Sequence, residues 1–66
     1  MLTVQDLIDQ FEIQGDVQIR IYDKEKDKYS VNKKYDEPRY IPNKYRNLEI
    51  EYMYADKNSI VFEVKE

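Results

Sequence analysis

The stretch Gly15-Asp16-Val17-Gln18-Ile19-Arg20-Ile21-Tyr22 decides the fold, because the spacing of apolar residues changes there. Val17, Ile19 and Ile21 occupy every second position, which predicts a strand with one buried face. Before Gly15, apolar residues instead recur every three or four positions, as they do on an amphipathic helix. The single glycine of the chain therefore separates a helix from a strand, and the sequence predicts an α+β fold.

The opening residues predict a helix with a well-defined start. Thr3 is a favourable N-cap, and Asp6, three residues later, supplies the carboxylate of a capping box. One apolar stripe follows at helical spacing: Val4, Leu7, Ile8 and Phe11. We expect the helix to continue toward Gly15, and the chain to leave it there through a left-handed backbone conformation.

The rest of the chain predicts short strands joined by polar turns. Residues 17–22 and 29–31 form one expected hairpin, whose turn is the charged stretch 23–28. Residues 32–42 are expected to be mostly loop because they contain Pro38 and Pro42, and residues 42–46 are expected to form one helical turn. Residues 48–54 and 60–65 alternate again around the turn residues 56–59, which predicts a second hairpin.

These elements predict a single domain over residues 1–66, in which one N-terminal helix packs on a small three- or four-stranded antiparallel sheet. In the strand that opens the second hairpin, one face is expected to carry Leu48, Ile50, Tyr52 and Tyr54, and the other Glu49, Glu51 and Met53. The expected core combines the apolar stripe with the alternating residues: Val4, Leu7, Ile8, Phe11, Val17, Ile19, Ile21, Leu48, Ile50, Ile60 and Phe62.

Composition argues against most catalytic chemistry. The chain has no cysteine and no histidine, so it has no thiolate nucleophile, no disulfide and none of the usual nitrogen or sulfur ligands of zinc. Its few serine and threonine hydroxyls have no histidine to activate them. Asp23, Glu25 and Asp27 are spaced like the first ligands of a calcium loop, but Lys28 stands where that loop needs glycine. We therefore expect no enzyme activity, and no catalytic, cofactor-binding or metal-binding residue.

Charge divides the chain into acidic ends and a basic middle. Residues 1–16 hold four acidic residues and no basic one, and residues 17–47 hold nine basic against five acidic residues. Residues 48–66 hold five acidic against two basic residues. No apolar run is long enough to cross a membrane, and acidic residues interrupt the opening stretch, unlike a secretory signal. We expect a cytoplasmic protein without a membrane partner.

Seven tyrosines are the most unusual feature of the composition, and five of them lie in the basic middle. Tyrosine and arginine are typical anchors of protein interfaces, and the prolines limit the freedom of the loop that contains them. The residues expected to bind a protein partner are Tyr35, Arg39, Tyr40, Tyr45 and Arg46. A second copy of the chain, forming a homodimer, is one candidate partner, since so small a chain has little core of its own.

Three alternatives stay open for these residues. Basic residues interleaved with aromatic ones suit a single-stranded nucleic acid, although the five acidic residues of the middle segment disfavour this partner. The acidic ends would instead allow the protein to mimic DNA and to occupy a basic groove on another protein. In the third alternative, the tyrosines of the proline segment lie over the sheet edge and only close the domain.

Three segments resemble a group of known proteins: Leu2-Thr3-Val4-Gln5-Asp6-Leu7-Ile8-Asp9, Gly15-Asp16-Val17 and Tyr40-Ile41-Pro42-Asn43-Lys44-Tyr45. They resemble small uncharacterised accessory proteins of phages and conjugative elements of Gram-positive bacteria, in which a short helix opens the chain and a proline-led turn precedes the last two strands. The resemblance covers most of the chain. It implies a mobile-element accessory role, exerted by binding host or defence machinery, and it implies no catalytic residue.

Overall fold

The computed structural model describes all 66 residues and confirms the α+β class. Its elements, in chain order, are α1 (Val4–Gln10), β1 (Asp16–Asp23), β2 (Lys28–Tyr35), a 3-10 turn (Pro38–Tyr40), α2 (Asn43–Arg46), β3 (Glu49–Asp56) and β4 (Ser59–Lys65). The longer of the two α-helices has seven residues, and no helix is long and apolar enough to cross a membrane.

The four strands form one mixed sheet in the order β2-β1-β4-β3. The β1–β2 and β3–β4 pairs are antiparallel hairpins, as predicted, but β1 and β4 lie side by side in parallel. The prediction of an all-antiparallel sheet is therefore wrong. Residues 36–48 carry the chain from one edge of the sheet to the other, so that β4 returns into the middle in the same direction as β1. Local alternation identifies strands but contains no information about this crossover.

Helix α1 begins as predicted and ends earlier. The amide of Thr3 donates to Asp6 Oδ2 at 2.9 Å, and the amide of Asp6 donates to Thr3 Oγ1 at 3.2 Å, which completes the capping box. Phe11 already has an extended backbone and its side chain is 61% exposed, so its prediction as a core residue is wrong. Gly15 does adopt a positive φ, of +96°, but at the entry to β1 rather than at the helix end. Residues 11–15 are needed to carry the chain to Asp16, which pairs with Ser59 of β4.

The core lies between the helices and one face of the sheet, which we call the inner face. Its buried apolar residues are Val4, Leu7, Val17, Ile19, Ile21, Ile41, Tyr45, Phe62 and Val64. Four further predicted core residues are half-buried against it: Ile8, Leu48, Ile50 and Ile60. Periodicity missed Ile41 and Tyr45 because they belong to the irregular crossover. It missed Val61 because that residue is buried on the opposite face of the sheet.

Strand β2 is longer than predicted. Residues 32–35, expected in a loop, pair with residues 17–20 of β1. Only Val31 and Tyr35 of this edge strand pack against the core, and the residues between them are polar and exposed. An edge strand with so little burial lacks the alternation by which strands are recognised in a sequence.

A β-bulge in β3 changes which side chains share a face. The register shifts between Ile50 and Tyr52, so that Ile50 faces the core whereas Tyr52 and Tyr54 lie on the opposite face, paired with Glu63 and Val61. Met53 is consequently on the inner face. The prediction that Ile50, Tyr52 and Tyr54 share one face is wrong, because one inserted residue inverts the alternation beyond it.

Candidate functional site

The face of the sheet opposite the helices, here called the open face, carries most of the unusual side chains of the protein. Strand pairing brings together residues that are far apart in the sequence: Gln18, Arg20 and Tyr22 of β1, Tyr29 and Asn32 of β2, Tyr52 and Tyr54 of β3, and Val61 and Glu63 of β4. None of them belongs to the core cluster that the helices cover. Val61, which pairs with Gln18 on one side and Tyr54 on the other, is nevertheless completely buried.

Arg20 is the centre of the open face. Its guanidinium donates four hydrogen bonds: Nε to Asn32 Oδ1 at 3.1 Å, Nη1 to the Tyr54 hydroxyl at 3.0 Å, Nη2 to Gln18 Oε1 at 3.1 Å and Nη2 to Asp56 Oδ2 at 2.8 Å. The bonds with Asp56 and Tyr54 raise the pKa of Arg20. Since these acceptors come from β1, β2 and β3, the arginine ties together strands on both sides of the sheet centre.

Glu63 is a buried carboxylate beside this arginine. Its Oε2 accepts hydrogen bonds from the hydroxyls of Tyr54 at 2.9 Å and Tyr29 at 3.3 Å. Arg20 is its neighbour across the parallel pair, yet the two charges are joined through the Tyr54 hydroxyl, which accepts from Arg20 and donates to Glu63. Buried carboxylates need such donors, because burial without a partner costs several kcal/mol. The two tyrosines therefore satisfy a charge as well as covering the sheet.

The aromatic rings of the open face are arranged around the same arginine. The Cζ atom of Arg20 lies 5.8 Å from the ring centroids of both Tyr29 and Tyr54, within cation–π distance. Tyr22 meets Tyr29 edge to face, with ring centroids 5.3 Å apart. Hydrogen bonding with Tyr54, partial desolvation and the charge of Glu63 raise the pKa of Tyr29 to about 12. This phenol is thus a hydrogen-bond donor that is harder to deprotonate than usual, which is the opposite of what a general base requires.

The charges of the open face are largely paired. Lys34 bonds Asp16 at 3.1 Å, and Lys65 bonds Glu49 at 3.0 Å, in addition to the Arg20–Asp56 pair at 2.8 Å. No free cluster of basic side chains results, and no group of three carboxylates lies close enough to hold a metal ion. Ser30 is exposed, and its hydroxyl donates to the carbonyl oxygen of Ile21 at 3.3 Å.

The residues predicted to bind a partner do not form one surface. Tyr45 is buried in the core, and Tyr35 is half-buried against it, where burial raises its pKa. Arg46 holds the crossover segment together. Its Nε donates to the carbonyl oxygen of Ile41 and its Nη2 to that of Arg39, both at 2.8 Å. These three side chains make contacts within the fold, and partner binding through them stays a prediction.

Two of the five predicted residues are exposed. The Cζ atom of Arg39 lies 5.1 Å from the ring centroid of Tyr40, and the guanidinium bonds Glu37 at 3.0 Å. A partner contact through Arg39 and Tyr40 stays a prediction.

Sequence reasoning did not single out Arg20, Tyr29, Tyr54 and Glu63 as a set. Alternation placed Arg20 and Tyr22 on the polar face of their strand, but only the strand order brings β2 and β3 around them.

No protein-family model, no curated protein and no solved structure matches this chain. The mobile-element role therefore stays an expectation that depends on the resemblance of the three quoted segments.

Proposed function

We propose that this protein is a small non-enzymatic module that binds another protein through the open face of its sheet. The observation that carries the proposal is the group of four partly exposed tyrosines around Arg20, on a sheet face that neither helix covers: Tyr22, Tyr29, Tyr52 and Tyr54. Tyrosine and arginine are the residue types that contribute most to binding energy in protein interfaces. The resemblance implies that the partner is a protein of the host or of a mobile element.

The order of this face before binding also supports an interface. Three of the side chains, Arg20, Tyr29 and Tyr54, are already held by hydrogen bonds to Glu63 or to one another. Immobilising a long side chain on binding costs about 0.5–1.5 kcal/mol, and side chains that are already held avoid most of this cost. The Tyr22 hydroxyl donates to Asp27. Tyr52 is the exception, since it is 58% exposed and takes part in none of these hydrogen bonds. We expect it to be the principal anchor that a partner covers.

Affinity capture from cells of the native host tests this function. The wild type is compared with Tyr52→Ala, which removes the most exposed ring of the open face, and with Tyr40→Ala, which removes an exposed ring of the crossover segment. We expect a partner to be recovered with the wild type and with Tyr40→Ala, and to be lost with Tyr52→Ala.

Circular dichroism must show that both variants are folded. If Tyr52→Ala is folded and keeps every partner of the wild type, the open face is not the contact surface. If Tyr40→Ala alone loses the partner, the interface lies on the segment around Arg39.

A nucleic acid is the second candidate partner, because aromatic side chains on an uncovered four-stranded sheet are also the arrangement on which RNA-binding modules stack bases. The paired charges and the buried Glu63 oppose this function. Titration with a labelled single-stranded oligonucleotide at low salt decides between the two. Binding that weakens steeply with salt and is lost in Tyr52→Ala would replace the protein partner by a nucleic acid.

A further inference from the structure

The two central strands of the sheet separate at one end. The parallel pairing of β1 with β4 stops at Arg20 and Glu63. Beyond that point, residues 21–23 pair only with β2, and residues 64–65 pair only with β3. Each central strand therefore follows its own hairpin partner, and the sheet is forked where β1 and β4 end.

A cavity of about 340 Å³ occupies this fork on the open face, and we call it the fork cavity. Its walls are residues 21–25 and 63–66, together with Ser30 and Glu51. A second cavity, on the inner side, shares two of these residues, so the sheet is open on both faces at this end. The crevice at the carboxyl ends of neighbouring parallel strands is also where open sheets bind their ligands.

The fork cavity has an excess of negative charge. Its walls contain five acidic and two basic residues. One of the two cations, Lys65, is already bonded to Glu49, which lies outside the cavity, at 3.0 Å. Three of the carboxylates form no ion pair: Glu51, Glu63 and Glu66. The cavity therefore favours a ligand that carries positive charge.

Glu63 is the residue that points most directly to a ligand. It is only 9% exposed, and both tyrosine hydroxyls that bond it use the same oxygen, Oε2. The other oxygen, Oε1, accepts no hydrogen bond, and Arg20 reaches this carboxylate only through Tyr54. Every fully buried side-chain nitrogen or oxygen has a partner, so Oε1 is not enclosed, and the space that Glu63 lines is the fork cavity. A carboxylate in such surroundings is stabilised by a cation that donates hydrogen bonds to it.

The carboxylates suit an organic cation better than a metal ion. No three of them are close enough to share a metal ion. A guanidinium instead has five N–H donors in one plane, which reach separate acceptors while the plane lies against an aromatic ring. Arg20 shows this chemistry on the same face, since it bonds acceptors from three strands and lies 5.8 Å from two tyrosine rings. In the fork cavity the ring is that of Tyr22, which is 37% exposed.

We propose that the fork cavity binds the guanidinium of an arginine side chain of the protein partner, with Glu63 Oε1 and the Glu51 carboxylate as acceptors and Tyr22 beside it. This inference rests on the proposed function of the open face and names a residue that the partner carries. Tyr52 pairs with Glu63 and directly follows Glu51, so a partner that covers Tyr52 reaches the cavity. Arginine is also one of the residue types that contribute most to binding energy in interfaces.

Arginine derivatives test the cavity without knowledge of the partner. N-acetyl-arginine methylamide is titrated into the protein at constant ionic strength, and amide chemical shifts are followed. The controls are the same derivatives of citrulline, which has the shape of arginine without its charge, and of lysine. We expect the arginine derivative to give saturable shifts at residues 22–24 and 63–65 in the millimolar range. We expect the lysine derivative to bind at least about threefold more weakly and the citrulline derivative to give no saturable shift.

Two variants and a matched control locate the site. Glu63→Gln removes the buried charge, and Glu51→Gln removes an exposed charge at the bulge. Glu12→Gln removes the same charge at an exposed residue outside the cavity. We expect Glu63→Gln to weaken binding of the arginine derivative at least about tenfold, or about 1.4 kcal/mol, Glu51→Gln to weaken it about threefold, and Glu12→Gln to leave it unchanged. Circular dichroism checks the fold, and Glu51→Gln decides alone if Glu63→Gln is unfolded.

Three results would overturn the proposal: no saturable shift at the cavity with the arginine derivative, equal binding of the citrulline or the lysine derivative, or equal weakening by Glu12→Gln and Glu51→Gln. The source of the guanidinium is tested by affinity capture. We expect Glu51→Gln to recover less of the partner that Tyr52→Ala loses. Full recovery by a Glu51→Gln variant that binds the arginine derivative more weakly would make a free guanidino compound the ligand instead.

The proposed function can fail separately. If Tyr52→Ala keeps every partner, the open face is not the contact surface, whatever the derivatives do. If Tyr52→Ala loses the partner and the arginine derivative does not bind, only the inference about the fork cavity fails.

Discussion

Two arginines show how burial changes the contribution of the same kinds of contact to stability. Arg20 and Arg39 each bond a carboxylate, at 2.8 and 3.0 Å, and each lies over a tyrosine ring. The side chain of Arg20 is 16% exposed and has three further acceptors, whereas that of Arg39 is 70% exposed. Solvent weakens the second set of contacts, since exposed ion pairs contribute little.

The first prediction compares these two residues. Arg20→Ala is expected to lower the free energy of unfolding by about 1–2 kcal/mol, because four acceptors lose a charged donor. Arg39→Ala is expected to lower it by less than about 0.5 kcal/mol. Urea denaturation followed by circular dichroism measures both. Equal effects of the two substitutions would show that the bonds of Arg20 do not hold the sheet together.

The second prediction concerns stability at high pH. The unfolded chain releases the Tyr29 proton near the ordinary pKa of 10.0, whereas the folded protein keeps it until about 12. Between these values the unfolded state binds fewer protons than the folded state, so stability falls as pH rises through this interval and the contribution is fully present below it. We therefore compare the free energy of unfolding just below pH 10 and just below pH 12. We expect it to fall less over this rise in pH in Tyr29→Phe than in the wild type.

Urea denaturation at the two pH values measures this difference, and the near-ultraviolet absorbance of tyrosinate checks its cause. The last tyrosine to ionise in the wild type should be absent from the titration of Tyr29→Phe. An unchanged titration would mean that Glu63 and Tyr54 do not retain the proton on Tyr29.

At the scale of elements, α1 shows what an apolar stripe at helical spacing predicts about a helix and what it does not. Val4 and Leu7 are buried as the stripe predicts, and the capping box forms. The fourth residue of the stripe, Phe11, lies outside the helix because the chain has to reach β1. A stripe records which residues would share a face if the helix continued, but it does not determine where the helix ends.

The third prediction uses the two phenylalanines of the chain. Phe62→Ala, in the completely buried centre of β4, is expected to cost about 3–5 kcal/mol or to unfold the protein. Phe11→Ala is expected to cost less than about 1 kcal/mol, because its ring is mostly in solvent. Thermal and urea denaturation measure both variants. A cost for Phe11→Ala similar to that of Phe62→Ala would contradict the early end of α1.

At the scale of the whole molecule, the parallel pair β1–β4 holds the two hairpins together. Residues 16–20 meet residues 59–63, so the contact joins the beginning of the sheet to the end of the chain. Ile19 and Phe62 are neighbours in this pair, and both are completely buried. Neither hairpin has an apolar face that it can bury alone, and we therefore expect the protein to unfold in one step.

The fourth prediction tests that central contact. Ile19→Asp is expected to unfold the protein, because an unpaired buried carboxylate costs several kcal/mol and a domain of this size has only about 5 kcal/mol of stability. The control is Lys33→Asp, since Lys33 pairs with Ile19 across the edge strand and is exposed. Circular dichroism and amide chemical-shift dispersion distinguish the two. A folded Ile19→Asp variant would show that Ile19 does not face the core.

Much of the local structure was predictable from the sequence alone. The cap at Thr3, the alternation of β1, the helical turn after Pro42 and the two hairpins all depend on neighbours within a few residues, so short-range spacing contains the necessary information. The same spacing placed Val17, Ile19 and Ile21 in the core and Arg20 on the polar face of the sheet.

Tertiary structure alone decided the strand order, the parallel central pair, the bulge in β3 and the end of α1. Each depends on contacts between segments that are far apart in the chain, whose free energy exceeds the weak preferences of single residues. The candidate site follows the same rule. The crossover brings β4 between β1 and β3, and this strand order places four side chains together: Arg20, Tyr29, Tyr54 and Glu63. The spacing of residues within one segment does not predict that they are neighbours.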